Sequence, residues 1–308
     1  MMLASRSIRL MGTTITISLV HQKAESLLEQ MLSLLVLYER RFSANDDRSE
    51  LMQINHGAGR EKICVHPDLF ELIELGKKHS IAPQSHLNIS IGPLVQTWRI
   101  GFADARVPSQ AEIEQALALT DPHLIDLDAE QQSVYLQKEG MKIDLGALAK
   151  GYIADKIIDF LKREGVTSAL INLGGNVLTL GINEDSGRPW RIGIQNPQLP
   201  RGHNLAILTV QNQSVVTSGV YERSLDFQGK SYHHILDPRT GYPMETSVAS
   251  LTIVSDKSVD GEIWTTRLFG AEPAAILQQI EAQKGLEVFI ITDDNHYFYS
   301  SGLQSQLL

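Results

Sequence analysis

Residues 142–175, KIDLGALAKGYIADKIIDFLKREGVTSALINLGG, decide how the chain is read. Leu148, Ile153, Ile157, Ile158 and Leu161 recur at helical spacing and predict a long amphipathic helix. The residues before it read as a strand and a tight glycine-containing turn, and those after it as a second strand closed by Gly174-Gly175. The turn carries an acid (Asp144), a glycine (Gly146) and then Lys150 at the head of the helix. Free backbone N–H groups at a helix start, next to a cation, suit a phosphate. The same residues also describe an ordinary strand–helix–strand unit with a solvated lysine, and this stretch alone does not separate the two.

Outward from this unit, helices and short strands alternate along the chain. Residues 8–20 alternate Thr and Ile around 13–17 and predict a strand, and 22–41 a helix with a broad apolar face. A polar loop follows, in which Ser49-Glu50 starts a short helix ending by Asn55. Pro67–Lys78 reads as a helix with proline in its first turn. HLNISIGPLVQTW alternates apolar and polar residues until Gly92-Pro93 breaks it, and Ser109 and Glu112 stand at capping-box spacing before a helix over 109–119. Short strands are expected over 123–138, 176–182, 190–194, 205–210 and 248–254, helices over 257–269 and 272–283, and a hairpin around Asp293-Asp294. This pattern predicts an α/β or mixed α+β fold with a mixed sheet and packed helices, in a single domain over 1–308.

Composition narrows the function. A chain of 308 residues with 43% hydrophobic and 20% charged residues buries a sizeable core. Its net charge of −9 argues against a nucleic-acid partner. Cys64 is the one cysteine, which excludes an internal disulfide and a Cys-based metal site; within ICV it reads as a small core residue. Arg6 and Arg9 interrupt the apolar N-terminal segment, and no run approaches the roughly 18 apolar residues of a membrane span. A cytoplasmic protein without a membrane anchor is expected.

Two clusters suggest chemistry. In DGEIWTT (260–266), Glu262 and Thr266 are four apart and share a helix face. A carboxylate and a hydroxyl are hard oxygen ligands suited to Mg²⁺, although a solvated helix face has the same pattern. His233, His234 and Asp237 offer a general base close to neutral pH. A Gly-x-Ser-x-Gly elbow, a phosphate-binding Walker loop and a G-x-G-x-x-G are all absent from the sequence, against serine hydrolases and the standard nucleotide folds. Residues alone support a Mg²⁺-dependent enzyme acting on a phosphate compound.

Seven segments in order, MGT (11–13), SELMQIN (49–55), LNISIGPLVQTW (87–98), DLGALAKGYIAD (144–155), INLGGN (171–176), TSGVYER (217–223) and HILDPRTGYP (234–243), resemble the ApbE-type flavin transferases, the FAD:protein FMN transferases. The likeness is strongest over residues 8–270. It implies an enzyme that takes FAD as substrate and uses Mg²⁺. A Thr or Ser hydroxyl of an acceptor flavoprotein attacks the FMN phosphorus, AMP leaves, and FMN stays attached through a phosphoester. The resemblance implies Met11, Leu87, Asn88, Asp144, Lys150, His234 and Ile235 at the FAD site, with Asn45 in the loop beside it. It implies Ala147 (through its carbonyl), Glu262 and Thr266 at the metal, and His234 and Glu262 as catalytic residues.

Three positions depart from the family pattern. Glu262 stands where Asp is usual, and its extra methylene moves the carboxylate by about 1.5 Å. Asn88 replaces a frequent Asp, and Asn45 a common aromatic residue that would give a flavin or adenine ring a stacking surface. The resemblance includes no match to the lipid-anchored leader of exported members, and a chain without that anchor is expected. An FAD pyrophosphatase that uses water as nucleophile and a non-catalytic flavin-binding module are the alternatives.

Overall fold

Residues 8–20, expected as a single strand, are divided by a turn between two strands, and the Thr/Ile alternation falls in the second. In the computed structural model, which describes residues 2–308, β1 (Met2–Leu10) and β2 (Thr13–His21) form an antiparallel hairpin. Met11 and Gly12 turn the chain with φ of 52° and 70°, the left-handed pair that matches strand twist in a two-residue loop. α1 (Ala24–Phe42) follows, then α2 (Glu50–His56), whose N-cap Ser49 accepts the Met52 N–H at 3.0 Å. β3 (Ile63–Cys64) leads to α3 (Pro67–Ser80), with Pro67 in its first turn. Cys64 is exposed, not a core residue: on this short strand Ile63 faces the core and the next side chain must face outward.

Gly92-Pro93 does not break a strand but begins a helix, α4 (Gly92–Trp98), because proline fits the first helical turn. The alternating residues ahead of it stay irregular. There the Asn88 side chain accepts from the Ser90 N–H and hydroxyl, which replaces ladder bonding. α5 (Gln110–Leu117) carries the capping box formed by Ser109 and Glu112. β4 (Ile125–Asp128) and β5 (Ser133–Leu136) join β3 in a three-stranded sheet ordered β3-β5-β4.

The residues ahead of the helix in the deciding stretch are also not a strand. Ile143 exchanges both backbone bonds with the Asn55 side chain, at 2.7 and 3.0 Å, and the Asp144 N–H donates to the Ile89 carbonyl at 2.8 Å. Loop and side chain satisfy this backbone, so no neighbouring strand is needed. α6 (Ala149–Arg163) and β6 (Ser168–Leu173) then appear as read.

The remaining elements are β7 (Asn176–Leu180), β8 (Trp190–Gln195), β9 (Asn204–Val210), β10 (Ser214–Gly219), β11 (Ser224–Phe227), β12 (Lys230–His233), β13 (Val248–Ser255), α7 (Ser258–Leu268), α8 (Pro273–Glu281), β14 (Leu286–Thr292) and β15 (Tyr297–Tyr299). An eight-stranded sheet runs β1-β2-β6-β7-β10-β13-β14-β15, and every neighbouring pair in it is antiparallel. The fold is thus the mixed α+β class, with helices packed on antiparallel sheets.

Leu27, Met31 and Leu35 of α1 and Ile153 and Ile157 of α6 pack with Ile15, Ile17 and Ile171 of the sheet. Further along, Leu268 and Phe269 beside Ile276 and Ile280 of α8 pack with Leu251, Ile253, Val288 and Ile290. Residues of opposite parity, Val254, Phe289 and Ile291, meet Trp190 and Leu208 of the β8–β9 hairpin. Both faces of β13 are therefore buried, and every residue of the strand is buried, the polar Ser250, Thr252 and Ser255 included. Among the described residues no helix is long and apolar enough to cross a membrane.

α6 and α7 approach each other at Gly151. A Cβ there would lie 2.6 Å from the Ser258 carbonyl oxygen and 2.8 Å from Glu262 Cγ. Gly151→Ala should therefore force the helices apart and lower stability by about 1–3 kcal/mol, as overpacking does. Urea unfolding should show a lower midpoint at an unchanged slope; an unaltered midpoint would mean that α7 yields without cost.

Candidate active site

The crossing of α6 and α7 brings together Lys150 and Glu262, two of the side chains singled out in the sequence. Asp155 of α6 reaches the start of α7, where its two carboxylate oxygens accept the Ser258 and Val259 N–H groups at 2.8 and 2.9 Å. α7 is thus capped by its neighbour rather than by its own N-cap residue, which locks the two helix starts together. Burial pushes the Asp155 carboxyl up to about 6, against the pull of the two N–H groups.

Glu262, one turn into α7, is 5% exposed. Its Oε1 accepts Asn176 Nδ2 at 2.9 Å and lies 3.4 Å from Lys150 Nζ. Ser258 Oγ donates to Asn176 Oδ1 at 2.6 Å. Glu262 Oε2, the Thr266 hydroxyl and the Ala147 carbonyl have no hydrogen-bond partner among the described residues. These are three uncommitted hard oxygens, the donor chemistry that Mg²⁺ takes. Among the described residues there is no group of three or more His, Cys, Asp and Glu side chains placed to hold a metal. A cation here would use this mixed set. The longer Glu262 side chain packs its Cγ against Gly151, which has no Cβ to oppose it.

Asp144 sits in the turn before α6, with Oδ1 accepting the Gly146 N–H at 2.7 Å. Burial raises its pKa, while that N–H and Lys150 oppose the rise. Asp144 and Asn45 line one cavity of about 350 Å³, together with Met52, Arg99, Phe102 and Lys142. The Arg99 guanidinium lies 4.2 Å from the Phe102 ring centroid. Phe102 is thus the one aromatic side chain among the residues lining this cavity.

His234 follows β12 directly. Its Nδ1 lies 3.3 Å from the Arg223 carbonyl. A carbonyl only accepts, so Nδ1 carries the hydrogen and Nε2 keeps a free lone pair. Burial first, then the Arg223, His233 and Lys150 charges, push its pKa down to about 4, against the Arg223 carbonyl. The imidazole is therefore neutral at pH 7. His233 instead places Nε2 against the Met244 carbonyl at 2.9 Å.

The other expected positions are less direct. Met11 holds its turn through an N–H donated to Glu39 at 2.7 Å, and the adjoining Gly12 faces the Arg223 guanidinium. A Cβ at Gly174 would collide with Thr13, so the MGT and INLGGN segments touch. Leu87 is a core residue. Asn88 donates to the Thr120 carbonyl at 2.7 Å and accepts from the Ser90 N–H and hydroxyl, which ties both ends of its amide to the fold. Ile235 packs against the core under α8, and its carbonyl accepts the Met244 N–H at 2.9 Å. Asn176, Asp155, Arg99 and Phe102 received no role from sequence. The first two lie inside the quoted segments, and RIGF after Trp98 carries no recognisable signal.

On this antiparallel α+β frame, two locked helix starts bring Lys150 close to the buried carboxylate of Glu262. The chain belongs to the ApbE family, which it matches over residues 11–290. It is 42% identical over 297 residues to the FAD:protein FMN transferase of Klebsiella pneumoniae (strain 342), covering 96% of this chain and 92% of that protein. It is 34% identical to the FAD:protein FMN transferase of Treponema pallidum (strain Nichols), covering 90% and 80%. The crystal structure of the ApbE protein from Thermotoga maritima superposes with a TM-score of 0.89 at 27% identity, over 99% of each chain.

Proposed function

We propose that this chain is an FAD:protein FMN transferase that depends on Mg²⁺ and modifies a Thr or Ser hydroxyl of an acceptor flavoprotein, with residues 1–308 acting as one domain. The relatives' shared name supports the class. The observation that carries the site reading is Lys150 Nζ at 3.4 Å from the buried Glu262, whose Oε1 is held by Asn176 and whose Oε2 has no hydrogen-bond partner among the described residues. Glu262, Thr266 and the Ala147 carbonyl would hold the Mg²⁺. When bound, the ion would neutralise charge on the pyrophosphate oxygens.

The chain's own residues position and balance charge, which is most of what phosphoryl transfer requires. Lys150 faces the pyrophosphate as a fixed cation. The cavity beside Asp144 takes part of the FAD, with Phe102 and Arg99 as a stacking surface. The acceptor hydroxyl oxygen bonds to the FMN phosphorus, the bond to the bridging oxygen breaks, and AMP departs. The hydroxyl proton passes to His234 Nε2. A bound pyrophosphate, being anionic, raises the low pKa of His234 towards neutrality and makes it a better base.

Incubation with FAD, Mg²⁺ and an acceptor domain should give a fluorescent protein band that survives denaturation and an acceptor mass increased by one FMN phosphoester. AMP release with no labelled acceptor would identify water as the nucleophile and the enzyme as an FAD pyrophosphatase. FAD binding with neither product, at any Mg²⁺ or Mn²⁺ concentration, would leave a flavin-binding module.

A further inference from the structure

We infer that Asn176 is a positioning residue, which with Ser258 aims the free oxygen of Glu262 at the metal; this rests on the metal reading above. Glu262 is longer than the family's usual Asp and has one more rotatable bond, so its carboxylate has more orientations to choose among. Three observations restrict that choice. Gly151 leaves open the space against which Glu262 Cγ lies. Asn176 Nδ2 holds Oε1 at 2.9 Å. Ser258 Oγ, 2.6 Å from Asn176 Oδ1, determines which way the amide faces.

The amide orientation follows from donor and acceptor chemistry. Glu262 as a carboxylate only accepts, so it requires the NH₂ side of Asn176. The amide oxygen then turns towards Ser258, whose hydroxyl supplies the hydrogen. All three side chains are buried, with Asn176 3% and Ser258 0% exposed. Ser258 is itself fixed, because its backbone N–H is bound to Asp155. The chain Asp155–Ser258–Asn176–Glu262 therefore joins α6, β7 and α7 into one support. It commits Oε1 to the protein and leaves Oε2 for a cation. Neighbours that orient a metal ligand in this way commonly change metal affinity or activity by about 10–100-fold when removed.

The test uses the full chain and Mn²⁺ alone, with bound and free ion separated by electron paramagnetic resonance. Asn176→Ala should weaken Mn²⁺ binding by about 10–100-fold. Ser258→Ala should weaken it in the same direction by less. FAD binding without metal, read by flavin fluorescence, should stay unchanged in both. In the transfer assay the half-saturating metal concentration should rise, while kcat at saturating metal should recover towards wild type. A merely structural role would instead lower thermal stability and leave the Mn²⁺ affinity of the folded fraction unaltered. If Asn176→Ala does not fold, Ser258→Ala decides by the same affinity measurement. Unchanged Mn²⁺ affinity in the folded variants overturns the positioning role. Glu262→Gln is the control: retained Mn²⁺ affinity there would instead sink the metal reading itself.

Discussion

Glu262→Gln should reduce metal-dependent FMN transfer by about a thousandfold while the chain remains folded. Glutamine keeps the length and shape of the side chain, so the packing against Gly151 that accommodates the longer arm is retained. What disappears is the negative charge and one hard oxygen at a site with a single acidic side chain among the three proposed donors. A bound metal contributes several kcal/mol to charge neutralisation in such reactions, and about 4 kcal/mol corresponds to a factor of about a thousand in rate. The amide can still accept from Asn176 through its oxygen, but Lys150 loses its ionic partner at 3.4 Å. Single-turnover AMP formation should then respond only weakly to Mg²⁺, while the circular dichroism spectrum and unfolding midpoint stay near wild type. Full activity with an unaltered Mg²⁺ dependence would remove Glu262 from the metal site and would favour Lys150 alone as the source of charge neutralisation.

This prediction depends on a juxtaposition the chain order does not display. Lys150 and Glu262 lie on different helices, and Asn176 and Glu262 are 86 positions apart. Local signals were legible where local chemistry decides the outcome. The Ser109–Glu112 capping box, the Ser49 cap and the apolar face of α6 all appear as read, because each is complete within a few residues. Sequence reading failed where long-range partners replace the expected ladder. Residues 87–91 alternate like a strand, yet Asn88 is held by Ser90 and Thr120, and Ile143 by Asn55. Cys64 sits in an apolar run but faces outward on a two-residue strand. The site has the same character. Its motif residues could be named from the segments they lie in, whereas their supports could not, since Asp155 caps a helix that begins about a hundred residues later.

His234→Ala should slow FMN transfer by about 10²–10⁴-fold, the usual contribution of a positioned base, with a smaller loss of FAD affinity. Removing the ring leaves the Arg223 carbonyl without its Nδ1–H partner and deprives the acceptor hydroxyl of Nε2. Its pH signature distinguishes this role from simple binding. The His234 pKa lies at about 4 in the folded protein against an ordinary 6.5, with burial as the main cause. Between these two values the unfolded chain binds more protons than the folded one, so stability rises with pH there. The contribution is fully present above pH 6.5 and is lost as pH falls through 6.5 towards 4. The alanine variant lacks it and should show a flatter dependence of stability on pH across that window. In catalysis the neutral ring is the active form, so the acid limb of kcat/KM in the wild type should fall near pH 4, well below the ordinary histidine value, and vanish in the variant. The limb for kcat should lie higher, because bound FAD places negative charge beside the ring and favours its protonated form. A variant that binds FAD far more weakly but keeps wild-type kcat and the acid limb would make His234 a binding residue and leave the acceptor proton to solvent.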